Sequence, residues 1–298
     1  MQSKPLILPL ANTFWQKLLN LAALFLGLVI ILILAVTAFV NPVIFCFFLV
    51  HGFVSIFWHS SMLHRYGAHG QFTFTNKKVE QVCYVMTWLS MGPSYLHAYG
   101  YALLHLAHHK FSDQEKDIHS PCILQDVFYL MLHTRNVYNQ LIVEGKNITN
   151  SEFKIIVEEY RQKHGKDIPH WSLDWVADHV MTKIGFGIIF LSIYLLCGAT
   201  WYMYLFLWPT QFLMGSVQGA LVNWFGHHTG FRNYDTDDES RNTPLLNILL
   251  GGEVNQNNHH HNPDKANFGE KLHEFDWIYW ILRIFHKAKI IVLKSPQP

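Results

Sequence analysis

His105, His108 and His109 place three imidazoles at i, i+3 and i+4. On a helix these offsets project from one face, about one turn apart. Neutral imidazole is the commonest metal ligand near neutral pH, so the trio has the spacing of half a metal site. A solvated helix with chance histidines carries the same local pattern, and the rest of the chain must decide. Three more groups stand out: His64 with His69, His227, and His259 with His260. With the first trio they total eight imidazoles. A mononuclear site rarely takes more than four ligands, so the number suggests two metals. A donor set of imidazoles without thiolates fits iron, copper or zinc. The boxes hold almost no carboxylate of the bridging kind found in hydrolytic dinuclear sites, which turns the reading toward oxidative iron chemistry.

Composition says what must position these groups. The chain is half hydrophobic and 14% charged, against about 25% in ordinary soluble domains. That deficit points to a membrane protein. A net charge of +1 argues against a nucleic-acid partner, which calls for a strong basic excess. Cys46, Cys83, Cys122 and Cys197 are scattered without CxxC spacing and predict neither a disulfide framework nor a thiolate site.

An uncharged apolar run covers 18–40 and a second covers 43–62, with Asn41-Pro42 between them. Each is about the ~20 residues a membrane helix needs, and the short link predicts a hairpin. The first run is expected to be retained rather than cleaved as a signal. A second hairpin is predicted from 184–197 and 201–222, the latter interrupted by Pro209 and Gly215. Between and after the hairpins lie two polar segments, 64–180 and 227–298, and every imidazole group falls in them. Within the first, 82–104 is apolar but interrupted by Gly92-Pro93, so no clean span is expected there, and 152–166 predicts a short amphipathic helix. Trp277 to Ile281 is expected at the membrane surface. Neither hairpin tip carries Lys or Arg, so the positive-inside tendency places both termini and the polar segments on the cytoplasmic side. The expectation is an all-α, multi-pass membrane protein in one domain over 1–298: four transmembrane helices under a cytoplasmic helical cap that carries a dinuclear metal site.

The motifs now resemble those of the membrane-bound fatty acid desaturases. The matching pieces are His64-Arg65-x3-His69, His105-x2-His108-His109-Lys110-Phe111-Ser112 and Asp117-x-His119. Further on come Asn223-x3-His227, Gly230-Phe231-Arg232-Asn233-Tyr234-Asp235 and Gly252-Glu253-x5-His259-His260. The likeness runs from about residue 20 to residue 285 and looks nearest to the acyl-CoA delta-9 branch with its bacterial relatives. It implies two ferrous ions held by His64, His69, His105, His108, His109, His227, His259 and His260, with Asn223 touching a metal-bound water. The family's third box usually begins with histidine, where this chain has Gln256. Glutamine ligates only through a harder, weaker oxygen, so Gln256 joins the candidate ligands as an altered position, with His228 or His261 as substitutes.

By the same resemblance the activity is oxygen-dependent desaturation of a fatty acyl chain, delta-9 by default. The acyl group would be carried on CoA, on carrier protein or in a phospholipid. Hydroxylation and fatty acid decarboxylation on the same scaffold are the alternative reactions, and a non-enzymatic metal-binding membrane protein is the alternative class. No haem-attachment, iron–sulfur or dinucleotide motif is present, so electrons are expected from an external ferredoxin, rubredoxin or small cytochrome with its reductase. Further expectations concern neighbours of the site. His119, Asp113, Asp117, Asp235 and Glu253 are candidates to orient ligand imidazoles. His51 and His59 lie inside the second span, where a polar residue is a functional candidate and hydrogen-bonded packing the plainer role. Tyr84, Trp88, Tyr95 and Trp224 are candidate walls of an acyl tunnel, or ordinary core.

Overall fold

The structure is a computed structural model that describes residues 14–124, 126–145 and 147–295. It is mostly helical. Helix α1, Phe14–Val40, and helix α2, Pro42–Trp58, are separated by Asn41 alone. Asn41 caps α2 by accepting from the Ile44 N–H at 3.2 Å, and Pro42 sits where its missing N–H costs nothing. The α2 axis continues without a break as a π-helical segment, His59–Ala68. Two 27-residue helical runs result, Phe14–Val40 and Pro42–Ala68. Each spans about 40 Å at 1.5 Å per residue, long enough to cross a bilayer.

The second hairpin is less regular. Helix α7, Val180–Leu196, has 17 residues, or about 26 Å, slightly under a ~30 Å hydrocarbon core. The returning limb is a π-turn at Met203–Leu207, a short helix at Trp208–Phe212 and helix α8, Met214–His228. Pro209 removes a backbone donor, and the break there has that ordinary cause. Asn41 Nδ2 donates to the Cys197 carbonyl at 2.8 Å, so the two tips meet at one end of the bundle. Ile44, Phe48, Tyr194, Met203, Leu207 and Met214 fill the space between the limbs. The outward face is apolar instead of polar: only 6% of the α1 window is buried. A surface of that kind is stable only against lipid or a partner.

At the other end sits the cap. Helices α3 (Lys77–Met91), α4 (Ala98–Phe111), α5 (Val127–Glu144) and α6 (Ser151–His164) build its first part. Helix α6 matches the expected amphipathic segment. Asn150 caps its start, and Gly165, at φ 63°, closes its end in the left-handed conformation that glycine adopts freely. The second part holds helix α9, Gln256–His261, and helix α10, Trp277–Lys287. Helix α10 buries Ile278, Tyr279 and Leu282 and exposes Trp280 and Ile284, as suits a helix lying on a membrane surface.

An all-α chain was expected, yet Phe72–Phe74 pairs antiparallel with Ile291–Leu293 in a small ribbon. Aromatic and β-branched residues favour that pairing, and it ties the C-terminal end to the segment just after His69. Tyr84, Trp88, Tyr95 and Trp224 line neither main cavity among the described residues. Tyr84 lies flat on Trp171, with interplanar angle 2°, and Tyr95 donates to Asp174 at 2.7 Å. Trp224 packs against Leu124 and Leu130. Tyr84 and Tyr95 are fully buried core, held by ring contacts and, at Tyr95, by the bond to Asp174.

Candidate metal centre

On an α-helix residues five apart point ~140° away from each other, so His64 and His69 would diverge. The π-helical turn removes the conflict. The His69 N–H bonds to the His64 carbonyl at 3.1 Å, and that i→i−5 closure brings the two imidazoles to one side, their centroids 5.0 Å apart. Such turns are rare and concentrate at functional sites. The remaining imidazoles come from α4 (His105, His108, His109), α8 (His227) and α9 (His259, His260).

These eight residues converge in two groups. His64, His69, His105, His109 and His259 bring one ring nitrogen each to within 4.8 Å of one another, and His108, His227 and His260 do the same. The boxes are therefore split: His105 and His109 face one group while His108, between them, faces the other. His259 and His260 part in the same way. The groups abut, the His109 and His260 rings stacking at 4.3 Å.

Within the first group Nε2 atoms face each other: His64 and His259 at 2.9 Å, His69 and His105 at 2.8 Å, His109 and His259 at 3.0 Å. Burial first, then the neighbouring imidazoles, hold His69, His105, His109 and His259 well below the ordinary histidine pKa, so these rings are neutral. In the second group Nε2 of His108, His227 and His260 is buried without a partner. Crowded, dry, neutral ring nitrogens are what a cation requires and what a packed core avoids. The donor set fits metal binding.

Carboxylates settle which nitrogen is free. His64 Nδ1 meets Glu253 at 2.5 Å, His108 Nδ1 meets Asp117 at 2.8 Å, His227 Nδ1 meets Asp113 at 2.8 Å and His260 Nδ1 meets Asp238 at 2.5 Å. A carboxylate accepts only, so each Nδ1 carries the proton and each Nε2 presents its lone pair. Burial alone would raise Glu253, but His64 and Arg65 pull it down to about 2. Burial is likewise outweighed at Asp113 and Asp238, where the bonds from His227 and His260 hold the carboxyls well below the usual range. Arg65 is fully buried. It bonds Glu253 and Ser60, donates to Asp276 at 2.7 Å and lies 3.9 Å over the Phe268 ring.

Of the candidates for orienting ligands, Asp113, Asp117 and Glu253 do so. Asp235 does not: it is exposed and lies 3.8 Å from Arg232. Asp238 takes that role and was not foreseen; the acidic run Asp237-Asp238-Glu239 is its only signal in the sequence. His119 acts through its backbone, whose N–H donates to Asp117 at 2.9 Å, while its ring pairs with Thr134.

The third box is held by its asparagines. Asn257 Oδ1 accepts from the N–H groups of Asn233 and Tyr234 at 2.7 and 2.8 Å, and Asn258 Oδ1 accepts from Asn233 and Asn242, both at 2.8 Å. The stretch Gly230 to Asp235 is thus the clamp on α9. Gly230 has φ 115°, and a Cβ there would lie 2.1 Å from the Asn242 carbonyl oxygen. Gln256 is buried and donates to the Glu253 carbonyl at 2.6 Å. With Asn223, His59, Tyr101 and Gln218 it lines a cavity of about 50 Å³ that reaches His64 and His105. Asn223 donates to Gly219 of its own helix at 2.9 Å. His228 is exposed beside the Trp224 carbonyl, and His261 is exposed and stacked on Tyr234 at 3.7 Å. Neither belongs to either cluster. His51 packs against Phe190, with ring centroids 4.9 Å apart.

Comparison with known proteins gives the family. The family model described as fatty acid desaturase matches residues 40–269. An sn-2 palmitoyl-lipid 9-desaturase of Nostoc sp. (strain 36) is 30% identical over 116 residues, 38% of this chain and 35% of its own length. Delta-9 acyl-lipid desaturase 2 of Arabidopsis thaliana is 27% identical over 183 residues, 61% of this chain and 53% of its own. The chain thus spans from about a third to about half of the length of these curated relatives. With the family match covering most of its length, the chain belongs to the fatty acid desaturase family.

Proposed function

We propose that the protein is an oxygen-dependent fatty acyl desaturase working with two ferrous ions. The observation that carries the reading is the sorting of eight buried or half-buried imidazoles into two abutting clusters, with the Nε2 atoms of His108, His227 and His260 left without a partner. His64, His69, His105, His109 and His259 would hold one iron, and His108, His227 and His260 the other, with Gln256 and Asn223 beside them. Bound iron would supply the oxidising power that no side chain has, so that two adjacent methylenes, dioxygen, two external electrons and two protons give a cis double bond and two waters.

The chain's own residues do the rest. Glu253, Asp117, Asp113 and Asp238 fix the tautomer and direction of four imidazoles. Arg65 holds Glu253 in place. Gln256, Asn223 and His59 keep a small polar space next to His64 and His105. An apolar groove of about 450 Å³ between α2 and α10, lined by Phe53, Phe57, Trp58 and Trp277, offers the acyl chain a path along the bundle. An acyl-lipid substrate is favoured over acyl-CoA or carrier protein, since the relatives' names specify acyl-lipid. The delta-9 position follows from the same names.

Four spans in two hairpins, with the cap on the cytoplasmic side, complete the reading. The meeting of both uncharged tips at Asn41 and Cys197 supports it. Electrons would come from an external ferredoxin, rubredoxin or small cytochrome with its reductase. Gln256 is the observation that favours hydroxylation or decarboxylation as a second reading. A metal-carrying membrane protein fits less well, because the imidazoles gather at one end of the bundle and do not line a path through it. Anaerobic iron loading, followed by oxygen, reductant and defined acyl lipids, tests these readings. A new double bond in the acyl chain supports desaturation; a hydroxylated chain or a terminal alkene replaces it with the second reading.

A further inference from the structure

The two clusters are unequal. One gathers five imidazoles and the other three. On α9, Gln256 and His260 are four apart and share a face. A Cβ on Gly226, the residue before His227, would lie 2.3 Å from Gln256 Cγ. Position 256 therefore sits where α9, which delivers His260, meets α8, which delivers His227. Its amide nitrogen is committed to the Glu253 carbonyl at 2.6 Å, which leaves only a neutral oxygen to offer. Imidazole suits iron better than a carbonyl oxygen does. The cavity next to it, of about 50 Å³, is lined by His64 and His105 of the five-imidazole cluster and by none of His108, His227 and His260.

We propose that the protein grips its two metals unequally. The five-histidine site is the tight one. The three-histidine site is weaker and exchangeable, completed by no more than the Gln256 oxygen. Its three carboxylate-backed imidazoles, with Asp117, Asp113 and Asp238 behind them, offset part of the deficit by raising ligand basicity. The inference rests on the two-iron reading above.

The test uses the full chain in detergent micelles, loaded anaerobically with Fe²⁺ alone, desalted and challenged with a chelator, with metal per protein followed by mass spectrometry. Two equivalents are expected, one leaving about tenfold faster than the other, the scale of a single perturbed ligand shell. Q256H is expected to slow the fast phase and leave the slow phase alone. With Co²⁺ alone as the probe, Q256H is expected to shift the visible bands of one ion of the two. A single common release rate in the wild type overturns the proposal, and so does a fast phase that Q256H leaves unchanged. A chain that takes up no iron overturns the two-iron reading itself, whereas two equally held ions leave that reading standing and remove only the inequality.

Discussion

His260 donates from Nδ1 to Asp238 at 2.5 Å across 22 residues of sequence. Asp238 is itself held by Thr236 at 2.7 Å and by the N–H of Ser240 at 3.1 Å, so a surface turn aims an imidazole at a buried cluster. Replacing Asp238 with Ala should leave the fold intact, since the turn lies at the edge of the cap. It should weaken metal retention and activity by roughly 10–100-fold, the usual cost of losing such a partner. Metal content after dialysis and acyl product yield check this; D235A, three residues away, should change neither. A D238A protein that retains metal like the wild type would show that His260 needs no anchor.

Arg65 joins the first box to the far end of the chain through Glu253 and Asp276, all three side chains being buried. Removing one member of such a network leaves uncompensated charge. R65A is expected to cost about 3–5 kcal/mol, visible as a large drop in melting temperature and in folded yield. R65K should recover little of it, because a single ammonium cannot reproduce a guanidinium fork over the Phe268 ring. Full recovery by lysine would mean that charge alone matters at this position.

How much of this was legible follows from where each signal sits. The imidazoles that cluster were readable because those at i, i+3 and i+4 in α4 declare themselves locally. The pairing of His64 with His69 was visible as motif but not as geometry, since periodicity assumes an α-helix and the π-turn changes the period. Asp113 and Asp117 were readable because they follow His109 closely. Asp238 was not, because a loop folding back in three dimensions selects it over Asp235, and no local pattern distinguishes the two. Tyr84 and Tyr95 stayed open between tunnel wall and core for a similar reason: they look the same in sequence whether they line a cavity or close a core. Apolar length foretold the first hairpin well and the second less so, where α7 is short and Pro209 breaks the returning limb.

The C-terminal ribbon should respond to pH through His164. Burial, then the Lys294 and Lys163 ammonium groups, lower its pKa to about 4, with Lys166 adding to the effect and Asp264 opposing it. Lys294 Nζ lies 2.9 Å from its Nδ1. The unfolded chain protonates near the ordinary value of ~6.5, so between that pH and about 4 the unfolded state binds the extra proton. Stability from this contact is complete above the unfolded value and is lost as pH falls toward the folded one. The protection factors of Ile291–Leu293, with the intrinsic exchange rate at each pH divided out, should therefore fall on acidification from pH 7 to pH 5, and H164N should abolish the change. An H164N protein with the same acid response would place the titrating group elsewhere.

Gly226 supports the third box by having no side chain. An added Cβ would lie 2.3 Å from Gln256 Cγ and 3.0 Å from its Cβ, and neither atom is the free end of a flexible chain. In G226A, α8 and α9 must therefore part, at an overpacking cost of about 1–3 kcal/mol. Because His227 and His260 ride on those helices, metal retention at the three-imidazole cluster should fall with stability. Shortening the obstacle tests the cause. Q256A removes the Cγ that the new methyl would strike, so G226A/Q256A should melt close to Q256A alone. The double-mutant cycle should give a coupling of about 0.5–3 kcal/mol, with G226A costing little once Gln256 is gone. Strictly additive melting shifts would mean that the two residues do not meet, and that the glycine serves α8 for another reason.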